Sequence, residues 1–153
     1  MKLIILLFCI ALIFSCKNDS NNENSDANFD TEKTSLQGAW KLVSYLNYKE
    51  NGDIDTILSS LENKQIKMYS DTKVMWSRER ASDTLDWFGY GDYTIKDSIL
   101  TEILDFGSKT MNAIIKDKKE FVYKIIIGED HFSQIQTDSS GAPIYAENYI
   151  KLE

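Results

Sequence analysis

Histidine is nearly missing from this sequence: His131 is the only one in 153 residues. A Ser-His-Asp relay has no other imidazole to serve as its base, and His131 follows Gly128-Glu129-Asp130, a turn-like and exposed place. A lone histidine with no placed partner is equally poor support for haem ligation. Cysteine is almost as scarce, with Cys9 and Cys16 both near the start of the chain. Arginine occurs only at Arg78 and Arg80. Phosphate-loop chemistry is missing too: Gly89-Tyr90-Gly91 has neither the third glycine, nor the lysine, nor a following helix. Oxygen-rich "NGDID" (51–55) and "GDYTIKD" (91–97) lack the ordered acidic spacing of a calcium loop and read as turns. Carboxylate pairs for glycoside hydrolysis cannot be assigned without distances. Nothing here predicts an enzyme, a metal or a cofactor.

Long apolar runs are also lacking, apart from twelve consecutive residues, Leu3 to Phe14, after Lys2. That run is too short for a spanning helix, which needs ~20 residues, and suits the core of a signal peptide. It ends at Ser15-Cys16, a small residue followed by a thiol. The junction resembles the lipobox of bacterial lipoproteins, with Ile13 at the apolar position and Cys16 as the invariant cysteine. The resemblance implies acylation of the Cys16 thiol, cleavage before Cys16 and acylation of the new amino group, which gives a palmitate-type anchor. More than one acyl chain holds a protein stably on a membrane. An ordinary secretory leader with an incidental cysteine is the alternative. With Cys9 discarded and Cys16 lipidated, no pair remains to form a disulfide.

Residues 17–35, "KNDSNNENSDANFDTEKTS", contain one aromatic and no aliphatic side chain larger than alanine. Such a segment cannot bury enough apolar surface to offset its ordering entropy, so residues 16–35 are expected to form a lipidated tether. Its acidic residues also resemble surface-export signals that follow the lipidated cysteine in some Gram-negative bacteria; a solvated spacer explains them equally well. Losing the leader removes one lysine and turns a net charge of −7 into −8. That balance argues against nucleic acid and against electrostatic attachment to anionic lipid. The expected address is the bacterial envelope, lipid-anchored at the outer membrane, on its periplasmic or its surface face.

Residues 36–153 have the length of one domain able to bury roughly two thirds of its unfolded surface. Apolar periods of helical type are short, and runs rich in β-branched and aromatic residues recur between turn signals, the pattern of an all-β antiparallel sandwich or barrel. Nine strands are predicted, at 39–48, 64–70, 73–79, 87–96, 98–104, 109–116, 120–128, 131–137 and 142–153. The longer gap at 49–63 carries Ile57, Leu58 and Leu61 at helical spacing after Asp55 and Thr56, so a short helix covering a barrel end is expected there. A lid over a site is the alternative. Gly89 and Gly91 inside a strand predict a bulge or a close backbone approach.

"LQGAWKLVSYL" (36–46) resembles the opening of lipocalin-like calycin domains, where Gly-x-Trp starts the first strand and the indole closes one barrel end. "NKQIKMYSDTKVMWSRE" (63–79) and "FGYGDYTIKDSILTE" (88–102) resemble small lipocalin-like domains of bacterial lipoproteins. The resemblance implies a lipocalin-like barrel of eight or nine strands that binds a ligand. Lipocalins lay an arginine from a late strand over the tryptophan; here Lys151 is the nearest stand-in.

Period-two alternation places Trp40, Leu42 and Leu46 inward, followed by Ile66 and Met68, then Val74, Trp76 and Arg78. Leu100, Glu102 and Leu104 share a later inward face, as do Tyr145, Glu147, Tyr149 and Lys151. A charge on an apolar face must be paired or solvated. Arg78 is therefore either part of an internal ion pair or the polar anchor of a pocket, with Trp76, Tyr93, Glu102, Tyr123 and Tyr149 as neighbours and Glu102 holding its guanidinium when no ligand is bound. The predicted function is non-catalytic binding or transport of a small apolar or amphiphilic ligand. The alternative is an interaction module with a solid interior, docking an envelope protein through an outer patch that includes Val43, Tyr45 and Tyr69.

Overall fold

The computed structural model describes residues 35–153. The expected leader, the expected lipid attachment at Cys16 and the expected tether up to residue 34 lie outside the described residues. Nine strands and one helix follow in chain order: β1 (Gly38–Tyr48), β2 (Ile54–Leu58), β3 (Asn63–Tyr69), β4 (Lys73–Arg80), β5 (Trp87–Lys96), β6 (Ile99–Gly107), α1 (Lys109–Asp117), β7 (Glu120–Ile127), β8 (His131–Thr137) and β9 (Pro143–Lys151). All pairings are antiparallel, neighbours in sequence pair from β3 to β9, and β9 returns to β1. Eight strands thus close a ring, which removes the free edges an open sheet would expose. The ninth, β2, is attached to β1 alone.

Two elements differ from the sequence reading. Residues 109–116 form a helix rather than a strand. Ser108 caps it, its hydroxyl accepting from the Met111 amide at 3.3 Å, and Met111 is buried with Ile115 packed against the core. Met111, Ile114 and Ile115 stand at i, i+3 and i+4, a helical spacing that the β-branched residues obscure. Conversely, residues 49–63 hold a strand in place of the expected helix. Asn51-Gly52 is a strong hairpin signal; Lys49 N–H donates to the Asp53 carbonyl at 2.9 Å, and Ile54 to Leu58 pair back onto Tyr48 to Ser44.

The lower end of the barrel is packed solid around Trp40, Val74, Leu100, Ile125, Phe132 and Tyr149. The Trp40 indole N–H donates to the Leu36 carbonyl at 2.6 Å, and its ring meets Phe132 edge-on at 4.8 Å. Lys151 lies over that indole, its ammonium 5.7 Å from the ring centroid, the position expected of the stand-in for arginine. Both strand glycines have steric reasons. A Cβ at Gly89 would stand 2.9 Å from the Trp76 indole, which covers it. At Gly91 the β5–β6 register slips, and a Cβ would stand 2.0 Å from the Ile103 carbonyl oxygen.

On β3 the alternation runs opposite to expectation. Gln65, Lys67 and Tyr69 are buried, whereas Ile66 and Met68 turn outward. Hydrophobicity alone selects the wrong face, because the interior carries carboxylates that need cations. Tyr69 accordingly leaves the outer patch anticipated for it. Tyr45 stacks on Tyr145 at 5.3 Å.

Candidate functional site

Register arranges the inward side chains in layers. The lowest holds Tyr69 opposite Val74 and Phe132 opposite Tyr149; one step up, Lys67 faces Trp76 and Gln134 faces Glu147; above these, Gln65 faces Arg78 and Gln136 faces Tyr145. Above the packed layer the ring opens into a cavity of about 180 Å³. Trp76, Trp87, Leu104 and Phe121 form much of its apolar wall, with Met111 and Ile114 of α1 at its side. Its polar lining is Gln65, Lys67, Arg78, Glu102, Gln134 and Glu147, together with the hydroxyl-bearing Tyr123 and Tyr145.

The polar groups form one connected network. Lys67 Nζ donates to Glu102 Oε1 and to Gln134 Oε1, each at 2.8 Å. Tyr69 donates to the same Glu102 oxygen at 2.7 Å. Gln134 Nε2 donates to Glu147 Oε2 at 2.7 Å, and the Tyr149 hydroxyl donates to that oxygen at 2.6 Å. Arg78 donates from Nη2 to Glu147 Oε1 and from Nε to Gln65 Oε1. Gln65 in turn donates to the Tyr149 hydroxyl at 2.8 Å. Two ion pairs, Lys67–Glu102 and Arg78–Glu147, are therefore joined through Gln134. Charge balances within the cavity, and among the described residues no buried side-chain polar atom lacks a partner.

Lys67 and Glu102 are each 2 % exposed. Removing two such ions from water costs several kcal/mol apiece, so the pair specifies an arrangement more than it adds stability. The tyrosine hydroxyls are tuned to remain protonated. Burial, then the Glu102 carboxylate, raises Tyr69 and Tyr123 well above their usual 10.0; burial, then Glu147, does the same for Tyr149 and pushes Tyr145 up to about 12. They therefore stay hydrogen-bond donors at physiological pH.

Of the residues expected around a pocket, Trp76, Arg78, Glu102 and Tyr123 line this one cavity. Tyr149 joins the network from the layer below. Tyr93 does not belong: its hydroxyl donates to the Ser70 carbonyl at the β3–β4 turn at 2.8 Å and its ring packs on Tyr69. Arg78 takes Glu147, not Glu102, whose carboxylate is bonded by Lys67 of β3. Lys67, Gln65, Gln134, Trp87 and Tyr145 went unrecognised as a group. The available signal was "KQIKMY", in which Gln65 and Lys67 alternate with Tyr69. His131 is exposed, its ring lies against Gly128, and its Nδ1 is 2.8 Å from Oδ1 of its neighbour Asp130. Among the described residues no cluster of three or more histidine, cysteine or acidic side chains could hold a metal.

A closed antiparallel ring with a solid lower end and a cavity above it defines a lipocalin-like β-barrel domain. The chain is similar to the crystal structure of a lipocalin-like protein from Bacteroides uniformis ATCC 8492, with a TM-score of 0.52 and 14% identity, over 76% of this chain and 98% of that one. It is equally similar to an uncharacterized protein from Bacteroides eggerthii DSM 20697, with a TM-score of 0.51 and 15% identity, over 76% and 99% of the two chains. At such identities the likeness is one of fold. No protein-family model matches the chain, and no curated protein does.

Proposed function

We propose that this protein is a non-catalytic binding protein of the bacterial envelope, lipid-anchored through Cys16, that holds or carries a small, partly apolar molecule in its barrel. The carrying observation is the cavity: an aromatic and aliphatic wall above a polar, charge-balanced floor, the usual make-up of a small-molecule site. Its volume of about 180 Å³ is close to the ~150 Å³ of an engineered cavity that takes benzene. The ligand is therefore a single-ring molecule with a polar substituent, and a long acyl chain is too large for this space. Because every floor group already has a partner, a neutral ligand enters without breaking an ion pair. The apolar run, Ser15 and Cys16 support the address.

Nuclear magnetic resonance titration with p-cresol tests the cavity. Saturable shifts are expected at Trp76 and Trp87, and Ile114→Trp, which fills the mouth from the half-exposed face of α1, should weaken them by about tenfold, or 1.4 kcal/mol. Unchanged binding in that variant, or no saturation by p-cresol or related single-ring molecules, would sink the reading. Fractionation tests the anchor: wild type should follow membranes, Cys16→Ser should be soluble or unprocessed, and a fully cleaved Cys16→Ser that still follows membranes would overturn the anchor.

A second reading, docking of another envelope protein, rests on a different face. Met68, Met75, Tyr90 and Phe106 are register partners across β3 to β6 and form an outward apolar row.

A further inference from the structure

The barrel wall parts between β1 and the first residues of β3. On one edge β1 pairs with β3 through Gly38 to Lys41 and with β2 from Ser44 onward, while the first residues of β3, Asn63 to Gln65, pair with β4 alone. Between β2 and the β3–β4 hairpin lies a cleft of about 430 Å³ in this opening of the wall. Leu42, Tyr45, Ile57 and Leu58 make one wall, and Arg78 and Arg80 stand on the other.

This wall carries both arginines of a chain whose net charge is −7. Nearby acids are largely taken: Glu79 is held by Lys64 at 2.7 Å, and Glu147 engages Arg78 from inside. Arg80 lines the cleft and approaches Asp83 through Nε at 3.6 Å, beyond hydrogen-bond distance, so its guanidinium keeps donors for a ligand. The Trp87 ring, 5.8 Å from its guanidinium carbon, restrains it. Opposite, Ile57 and Leu58 are 54 % and 69 % exposed. Aliphatic side chains and a guanidinium lining one cleft make it amphipathic.

We infer that this cleft is a second binding site, separate from the interior cavity, for an anionic amphiphile: an alkyl chain laid on Leu42, Tyr45, Ile57 and Leu58 with its carboxylate on Arg80. The fork of the guanidinium matches a carboxylate at two points, and the volume lies in the ~300–1,000 Å³ range of small-molecule sites. A bilayer surface is disfavoured as the occupant, since the net negative charge of the chain opposes approach to anionic lipid. Arg78 lines both spaces, so the site borders the cavity, and competition with p-cresol distinguishes the two.

Calorimetric titration of decanoate into the leader-cleaved Cys16→Ser chain, which carries neither the apolar leader nor an acyl group on residue 16, tests the site. Decanoate should bind, and decanol, with the same chain and no charge, should bind roughly 10- to 100-fold more weakly, the range for hydrogen bonds to a charged group. Arg80→Gln should cost decanoate a similar factor and leave decanol unchanged; Leu58→Asp should weaken both. Both substitutions fall on exposed residues, and p-cresol binding to the interior should survive them. The inference is overturned if wild type fails to bind decanoate, if both variants bind it as wild type does, or if p-cresol displaces it competitively, which would place it in the interior. Sedimentation with phosphatidylglycerol vesicles that Arg80→Gln abolishes would overturn it in favour of a bilayer surface.

Discussion

Lys67 shows how much one side chain organises here. Its ammonium bonds Glu102 and Gln134 and lies 5.8–6.0 Å from the ring centroids of Tyr69, Tyr123 and Tyr149. Replacing it with methionine keeps the bulk and strands the Glu102 carboxylate, a loss of about 3–5 kcal/mol when one partner of a buried pair is removed. Adding Glu102→Leu removes the orphaned charge, so the double variant should regain much of that loss. Urea titrations of the two singles and the double measure the coupling; additive losses would show that the charges do not interact. The same logic applies to Arg78, whose loss leaves Glu147 without its cation.

At the scale of elements, α1 sets the width of the cavity mouth. Its cap is Ser108, and Asn112 locks the preceding turn, donating to the Gly107 carbonyl at 2.9 Å and accepting from its amide at 2.8 Å. Ser108→Ala should cost about 1 kcal/mol of stability and, by loosening the turn that carries Met111 and Ile114, weaken p-cresol more than decanoate. Equal weakening of both would mean that α1 does not shape the interior selectively. The β1–β2 hairpin plays the corresponding part outside, since Ile57 and Leu58 form a wall of the cleft.

Over the whole molecule, the buried tyrosines make stability depend on alkaline pH. The unfolded chain ionises its tyrosines near 10, whereas Tyr145 ionises at about 12 when folded and Tyr69, Tyr123 and Tyr149 are also raised, burial being the first cause and a neighbouring carboxylate the second. Their contribution is complete below about pH 10, because both states then hold the proton. Above that the unfolded state binds fewer protons, so stability falls by about 1.4 kcal/mol per pH unit for each such tyrosine until its folded pKa is passed. Urea midpoints should be level from about pH 7 to 9 and drop steeply from about 10 to 12, with Tyr145→Phe reducing the slope. Level midpoints through about pH 11 would show that these phenols ionise freely.

The primary structure by itself determined the class of the domain, through recurring β-branched and aromatic runs divided by short polar turns, and the resemblance of "LQGAWKLVSYL" to calycin openings implied Trp40 as the plug of one end with Lys151 above it. Gly89 and Gly91 announced their bulge and close approach, because glycine in a strand has few other uses. Those signals are local. Whether Lys67 points inward was decided by Glu102, which is 35 residues away in sequence, and hydrophobic alternation on β3 therefore selects the opposite face. Arg78 was legible as an inward charge, but its pairing with Glu147 depended on Lys67 occupying Glu102 from another strand. The β-branched character of Ile114 and Ile115 outweighed the Ser108 cap on a local reading, while the fold had room for a helix at that rim. Likewise the cleft between β2 and β3 exists only because β1 changes partners midway along its length. Burial and charge pairing are settled between strands distant in sequence, so tertiary structure decided the site where sequence had decided the barrel.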